Sequence, residues 1–114
     1  YKVKGKSEEE KSQLIRDAKA LEKAGAFCMV IEGVKADVAC EVAKSVKIPL
    51  IGIGAGKDVD GQVLVFSDML GLFEEFTPKF VKKYMDGAAL VKSAMKSYSD
   101  EVKSREFPQD IHTY

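Results

Sequence analysis

Two short stretches of the sequence decide the fold: Val30-Ile31-Glu32-Gly33 and Ile48-Pro49-Leu50-Ile51-Gly52-Ile53-Gly54-Ala55-Gly56. Each contains an apolar run typical of a buried strand. The first run ends at a carboxylate and the second in a cluster of glycines. A helical pattern from Val34 to Val46 separates them. This alternation predicts a parallel α/β sheet, in which ligands bind at the carboxyl ends of the strands.

The rest of the chain continues the alternation of strands and helices. Ser7 is placed to cap a first helix and Gly25 to end it. Thr77-Pro78 predicts another helix start, because proline suits the first helical position. The apolar run at 27–31 favours a strand buried on both faces. The predicted strands are about 27–32, 49–53 and 62–66, and the predicted helices are about 8–24, 35–46, 78–85 and 88–103.

Length and composition restrict the class of protein. The chain has 114 residues, whereas a closed (β/α)₈ barrel typically needs about 250. With the missing initiator Met at Tyr1, this length predicts a fragment, an engineered start or a cleaved chain.

Its 18 basic and 18 acidic residues give no support for a nucleic-acid binder. No apolar stretch approaches the roughly 20 residues of a membrane span. Cys28 and Cys40 are predicted to be buried thiols in a reducing cytoplasm.

The candidate site lies where the two strands end. Glu32, at the end of a buried strand, is positioned to act as a base, but it could equally be an acid bound by the backbone amides of the next helix. Glycines in the second stretch could let the backbone approach an anion or a carbonyl, although tight-turn roles are favoured. Asp58 and Asp60 are expected to lie in a solvated turn. His112 is expected to lie in a solvated tail.

Several strings in this order resemble the ketopantoate hydroxymethyltransferase family. They are the opening Tyr1 to Gly5, the run from Ala18 to Ala26, Val30-Ile31-Glu32, the glycine-rich run at 48–56, Asp60-Gly61-Gln62-Val63-Leu64-Val65 and Thr77-Pro78-Lys79-Phe80. The resemblance covers nearly the whole chain. It implies the C-terminal half of a single (β/α)₈ TIM barrel domain of the phosphoenolpyruvate mutase and isocitrate lyase type, with about three parallel strands and the terminal helices.

The resemblance also implies an activity. Such enzymes transfer a hydroxymethyl group from 5,10-methylenetetrahydrofolate to 3-methyl-2-oxobutanoate, giving 2-dehydropantoate for pantothenate synthesis. Glu32 matches the family's proton acceptor, and Gly52, Ile53 and Gly54 match a strand end that lines the keto-acid pocket. The family's Mg²⁺ ligands belong to an N-terminal half. This chain therefore supplies no metal ligand, and we expect it to be inactive without that half.

The implied partners are the N-terminal half of the same enzyme, the 2-oxo acid, the folate and further copies in a homodecamer. The apolar face from Leu90 to Val102 is compatible with a subunit contact. Two alternatives remain open. The chain could be a non-catalytic half-barrel that serves as a binding or assembly module, pairing its exposed sheet edge with a copy of itself. It could also be another 2-oxo-acid enzyme of the same superfamily, against which the Asp60-Gly61-Gln62 string argues.

Overall fold

The computed structural model describes residues 2–114, which divide into two compact units. Unit 1 ends at Leu64 and unit 2 covers Val65–Tyr114. The elements of unit 1 are, in chain order, α1 (Glu8–Lys23), β1 (Met29–Glu32), α2 (Ala36–Ser45), β2 (Leu50–Ile53) and β3 (Gly61–Gln62). All pairings in its sheet are parallel, in the order β1-β2-β3. The predicted α/β class with three parallel strands is confirmed.

Helix α1 follows from its end signals and from its apolar positions. The Ser7 hydroxyl accepts a hydrogen bond from the Glu10 N–H at 3.1 Å, which caps the first turn. At the other end, the Gly25 N–H donates to the Glu22 carbonyl at 3.1 Å. Leu14, Ile15 and Ala18 recur at helical spacing and pack on the core. The sequence therefore fixes both the length of α1 and the face that it turns to the sheet.

The hydrophobic core of unit 1 lies between its two helices and one face of the sheet. Leu50 at the start of β2 is only 2 % exposed. Burying an aliphatic side chain of this size stabilises the fold by about 1.5–3 kcal/mol. The buried members of the core are Ala18, Met29, Ile31, Val34, Val38, Ala39, Val42, Leu50 and Ala55.

Strand β1 differs from the prediction of a strand buried on both faces. Met29 and Ile31 are buried, but Val30 is 64 % exposed and Glu32 is exposed as well. Phe27 precedes the strand and is 89 % exposed. The physical reason is that α1 and α2 pack against one face of the sheet only. The prediction of burial on both faces is wrong for Val30 and Glu32.

Unit 2 contains α3 (Phe66–Met69), α4 (Gly87–Ser104) and a 3₁₀ turn at Asp110–His112. The predicted strand 62–66 is wrong beyond Gln62, because the Val65 carbonyl accepts the N–H of Met69 and so starts α3. The predicted helix 78–85 is also wrong. Val81 donates to the Pro78 carbonyl at 3.0 Å, which makes a turn, but the Tyr84 N–H donates to the Met69 carbonyl at 2.8 Å instead of continuing a helix.

Helix α4 buries very little of its surface. Its two buried residues are Gly87 and Ala88, while Met95 is 67 % exposed. After α4, the Phe107 ring lies 5.7 Å from the Tyr98 ring and 5.2 Å from the His112 ring, measured between centroids. The His112 Nδ1 accepts a hydrogen bond from the Gln109 N–H at 3.1 Å. His112 is exposed, as expected for a solvated tail, and these contacts order the tail locally.

Candidate active site

The carboxyl ends of β1 and β2 lie side by side. Glu32, the last residue of β1, is paired in register with Ile53, the last residue of β2. The Gly33 N–H donates to the Ile53 carbonyl at 2.9 Å, which continues the pairing one step beyond the strand. The structure thus brings the predicted base and the predicted pocket strand to the same edge of the sheet. In parallel α/β proteins this edge is where ligands bind.

Glu32 lies on the sheet face that α1 and α2 do not cover. Side chains alternate along a strand, so Glu32 shares its face with exposed Val30, while Met29 and Ile31 point into the core. The acidic residue in the first turn of α2 is Asp37, whose carboxylate accepts the Val38 N–H at 3.0 Å. Asp37 is thus an acid that binds a backbone amide at the start of α2. An exposed carboxylate at a strand end can reach a bound substrate.

The three predicted pocket residues do not contribute equally. Gly52 and Ile53 are buried, whereas Gly54 is half-buried. Gly52 lies on the core-facing side of β2, where an added Cβ would come within 2.9 Å of Val59 Cγ2. Ile53 is paired with Glu32 and lies on the same face. Of the three, Ile53 and Gly54 are therefore placed beside Glu32, and Gly52 allows close packing behind them.

A glycine with left-handed backbone directly follows each of the two strands. Gly33 has φ 61° after β1, and Gly54 has φ 63° after β2. Side chains with a Cβ rarely adopt this conformation, so glycine lets the chain turn sharply at each strand end. Gly33 and Gly54 are thus explained by backbone geometry.

Asp60 and Gln62 have structural contacts that the sequence did not predict. The Asp60 carboxylate accepts the Leu50 N–H at 2.8 Å, and the Asp60 N–H donates to the Leu50 carbonyl at 2.9 Å. The Gln62 side-chain amide donates to the Gly56 carbonyl at 2.7 Å. Asp60 is exposed in a turn, as expected, and its carboxylate also binds the start of β2. The sequence feature that could have indicated these contacts is the polar Asp60-Gly61-Gln62 string between two apolar runs.

A third segment meets the strand ends at Lys4. The Lys4 N–H donates to the Gly33 carbonyl at 2.8 Å, and the Lys4 carbonyl accepts the Lys35 N–H at 3.0 Å. This isolated parallel bridge pairs Lys4 with Val34, two residues after Glu32. Sequence reasoning missed it, because a single bridge has no periodic pattern.

Two charged groups of α1 have perturbed acid-base properties. The Glu10 carboxylate accepts the N–H groups of Lys6 and Gly5, at 2.8 and 2.9 Å, and these hydrogen bonds lower the pKa of Glu10. The Lys11 ammonium lies 2.6 Å from the Glu41 carboxylate on α2, which raises the pKa of Lys11. Both groups are therefore more firmly charged than usual.

The donor set of a metal centre is not assembled in residues 2–114. No three His, Cys, Asp or Glu side chains of this part of the chain are close enough together to hold an ion. The described residues therefore do not fit a Mg²⁺ site.

Cys28 and Cys40 are free thiols, and each is half-buried. Among the helices described, none combines the length and hydrophobicity needed to cross a bilayer.

A family model described as ketopantoate hydroxymethyltransferase matches residues 1–110. The chain belongs to the ketopantoate hydroxymethyltransferase family. Its relatives include proteins named 3-methyl-2-oxobutanoate hydroxymethyltransferase. Over all 114 residues, the chain is 85% identical to the one from Sulfurimonas denitrificans, 60% to that of Aliarcobacter butzleri and 58% to that of Wolinella succinogenes. The resemblance seen in the sequence is confirmed.

The chain spans less than half the length of these family members. It covers 43% of the Sulfurimonas protein, 42% of the Aliarcobacter protein and 44% of the Wolinella protein. Each of these three relatives therefore contains further sequence that is longer than this chain. The strand ends in unit 1 are one part of a larger molecule in those relatives.

Proposed function

We propose that this chain works together with a further segment, which supplies the rest of the relatives' length, as a hydroxymethyltransferase. We call this combination the full-length form. It would transfer a hydroxymethyl group from 5,10-methylenetetrahydrofolate to C3 of 3-methyl-2-oxobutanoate, giving 2-dehydropantoate. The family match and the names of the relatives support the substrate and the reaction. The placement of Glu32 beside Ile53 and Gly54 carries the proposal for the site.

Glu32 is the proposed proton acceptor. Its carboxylate removes the proton from C3 of the keto acid, and the electron pair left on C3 forms the new bond to the one-carbon unit of the folate. Atom balance requires one water molecule to supply the hydroxyl group, while the folate leaves as tetrahydrofolate. Ile53 and Gly54 shape the wall of the pocket next to Glu32. No step is assigned to a metal in this chain, because the described residues do not fit one.

The partners of the chain are part of the same proposal. The missing segment is the N-terminal half of the barrel, and it would hold the Mg²⁺ of the family. It would also cover the sheet face on which Val30 is 64 % exposed. Without it the chain would be inactive. We place the complete enzyme in the cytoplasm as a homo-oligomer, in keeping with free Cys28 and Cys40.

The experiment is exchange of the C3 proton of 3-methyl-2-oxobutanoate for deuterium in D₂O, followed by NMR with the full-length form. Glu32→Gln should slow exchange by about 100-fold or more, because a positioned base contributes at least that much. Binding of the keto acid should change by less than about twofold, since the amide keeps the shape of the side chain. Asp58→Asn, at an exposed carboxylate in the turn after β2, is the control and should leave exchange unchanged.

Unimpaired exchange in Glu32→Gln would remove Glu32 from the base role. A full-length form that neither exchanges the C3 proton nor binds the keto acid would instead favour a binding or assembly module. Exchange with other 2-oxo acids at the same rate would favour a different enzyme of this superfamily.

A further inference from the structure

The geometry points to Glu10 as a positioning residue for Glu32: its carboxylate holds the segment Lys4–Lys6, and that segment holds the turn that follows β1. This inference rests on the proposed role of Glu32 as the base. Glu10 belongs to α1 and does not reach the reacting atoms itself. Its effect would pass through backbone hydrogen bonds.

The first link joins Glu10 to the segment before its own helix. One carboxylate oxygen of Glu10 accepts two backbone N–H groups, from Gly5 at 2.9 Å and from Lys6 at 2.8 Å. Hydrogen bonds to an ionised acceptor are stronger than neutral ones. The two bonds also lower the pKa of Glu10, so the acceptor stays charged at neutral pH. Because α1 packs on the core through Ala18, the segment is tied to a rigid helix.

The second link joins the segment to the peptide after Glu32. Lys4 donates its N–H to the Gly33 carbonyl at 2.8 Å and accepts the Lys35 N–H at 3.0 Å. On the other side, the Gly33 N–H donates to the Ile53 carbonyl at 2.9 Å. Both polar backbone groups of Gly33 are therefore occupied, one by β2 and one by Lys4. Loss of the Lys4 bond would leave the carbonyl side of this turn without its protein partner.

The turn at Gly33 is the place where such a clamp matters most. Gly33 has φ 61° and lacks a Cβ, so it has more backbone freedom than any other residue type. Glu32 precedes it directly, and a catalytic base must be placed to within a fraction of an ångström to reach its proton. With Gly33 fixed from both sides, the backbone from which the Glu32 side chain extends is held in place. Glu10 stabilises that orientation at a distance.

The chain contains a matched control at the other end of α1. Glu22 also accepts two backbone N–H groups with one carboxylate oxygen, from Lys47 and from Ile48, the latter at 3.1 Å. These bonds hold the segment that leads into β2, at the opposite ends of the strands from Glu32. Glu22→Ala therefore removes the same kind of contact as Glu10→Ala without touching the turn at Gly33.

The experiment compares these two variants in the full-length form with 3-methyl-2-oxobutanoate in D₂O. Glu10→Ala should slow C3 proton exchange by about 10-fold, a moderate effect for misplacement of a catalytic group. The Michaelis constant for the keto acid should change by less than about twofold. Glu22→Ala should lower the unfolding temperature by a similar amount but leave exchange within about twofold of the wild type. Glu10→Gln keeps one neutral acceptor oxygen and should restore part of the rate.

A second readout follows the clamp itself. Amide hydrogen exchange of Lys4 and Lys35 should become faster in Glu10→Ala and remain unchanged in Glu22→Ala, because only the former loosens the segment. If Glu10→Ala fails to fold, the same two readouts are taken from Glu10→Gln.

Normal C3 exchange in Glu10→Ala, or an equal loss in both alanine variants, would overturn the positioning role. These outcomes are distinct from failure of the proposed function, which would appear as normal exchange in Glu32→Gln. If Glu32→Gln is inactive and Glu10→Ala is not, only the inference on Glu10 is wrong.

Discussion

In unit 1 two helices pack on a sheet around a shared core, whereas in unit 2 the long helix α4 buries only its first two residues, Gly87 and Ala88. The buried core cluster lies entirely in unit 1. Carboxylates of unit 1 also accept backbone N–H groups of other segments. In unit 2, by contrast, Lys92 and Glu74 join two segments through an exposed ion pair. Tertiary burial therefore supports the helices of unit 1 along one face, but it supports α4 only at its start.

The largest difference between the units should appear on truncation of apolar side chains. Leu50→Ala should lower the free energy of unfolding by about 2–5 kcal/mol, because Leu50 is 2 % exposed and leaves a cavity. Met95→Ala on α4 should change it by less than about 0.5 kcal/mol, because Met95 is 67 % exposed. Urea denaturation of the full-length form measures both. Equal losses would break the comparison and show that another part of the protein covers α4.

The next largest difference in stability between the two units should appear when a carboxylate is removed from each. Asp60→Ala leaves the N–H of buried Leu50 without its partner and should cost about 1–3 kcal/mol. Glu74→Ala removes an ion pair with Lys92 at 2.6 Å, but both side chains are at least half exposed. Such pairs contribute about 0–1 kcal/mol. The same denaturation measurement applies, and a smaller loss for Asp60→Ala than for Glu74→Ala would contradict the comparison.

Left-handed backbone gives a third contrast, between Gly54 at the end of β2 and Arg105 after α4. Gly54→Val forces a branched side chain to φ 63° and should cost about 1–2 kcal/mol. It should also raise the Michaelis constant for the keto acid by filling the proposed pocket. Arg105 already has φ 64°, so Arg105→Gly should raise stability by up to about 1 kcal/mol. Thermal unfolding and steady-state kinetics test these outcomes, and an unchanged Michaelis constant would count against the pocket.

The smallest expected effect is a dependence of unit 1 on pH. The pKa of Glu10 is lowered on folding, so its contribution to stability is present above its usual value of 4.5 and is lost as pH falls through the folded pKa. The pKa of Lys11 is raised, so its contribution is present below 10.5 and is lost as pH rises through the folded pKa. The stability difference between wild type and Glu10→Gln should therefore shrink below pH 4.5. A difference that is constant down to the acid limit would argue against the hydrogen bonds of Glu10.

The ends of β1 and β2 could be predicted from the sequence because their signals are local. An apolar run stops at Glu32 and another stops at Gly54, and the observed strands end at Glu32 and Ile53. Glycine with a positive φ follows each strand, as the abrupt change in the sequence suggested. The edge of the sheet that carries the candidate site was therefore visible without coordinates.

Contacts between distant segments could not be predicted in the same way. The Tyr84 N–H bonds to the Met69 carbonyl, so the region after Pro78 forms a turn although its composition favours a helix. Lys4 bonds to Gly33 and Lys35 through backbone atoms, which leave no trace in residue type. The burial of one face of β1 also depends on which other segments are present, and the sequence of the strand alone does not report that.

The core of unit 1 has a consequence for the order of events during protein synthesis. All its buried members lie between Ala18 and Ala55. A ribosome that has released the chain as far as Val59 has released these residues and the half-buried side chains packed on them, before unit 2 has left the exit tunnel. Domains that emerge first generally fold first. We therefore expect β1 and β2 to be in register, with Glu32 beside Ile53, while α4 is still being made.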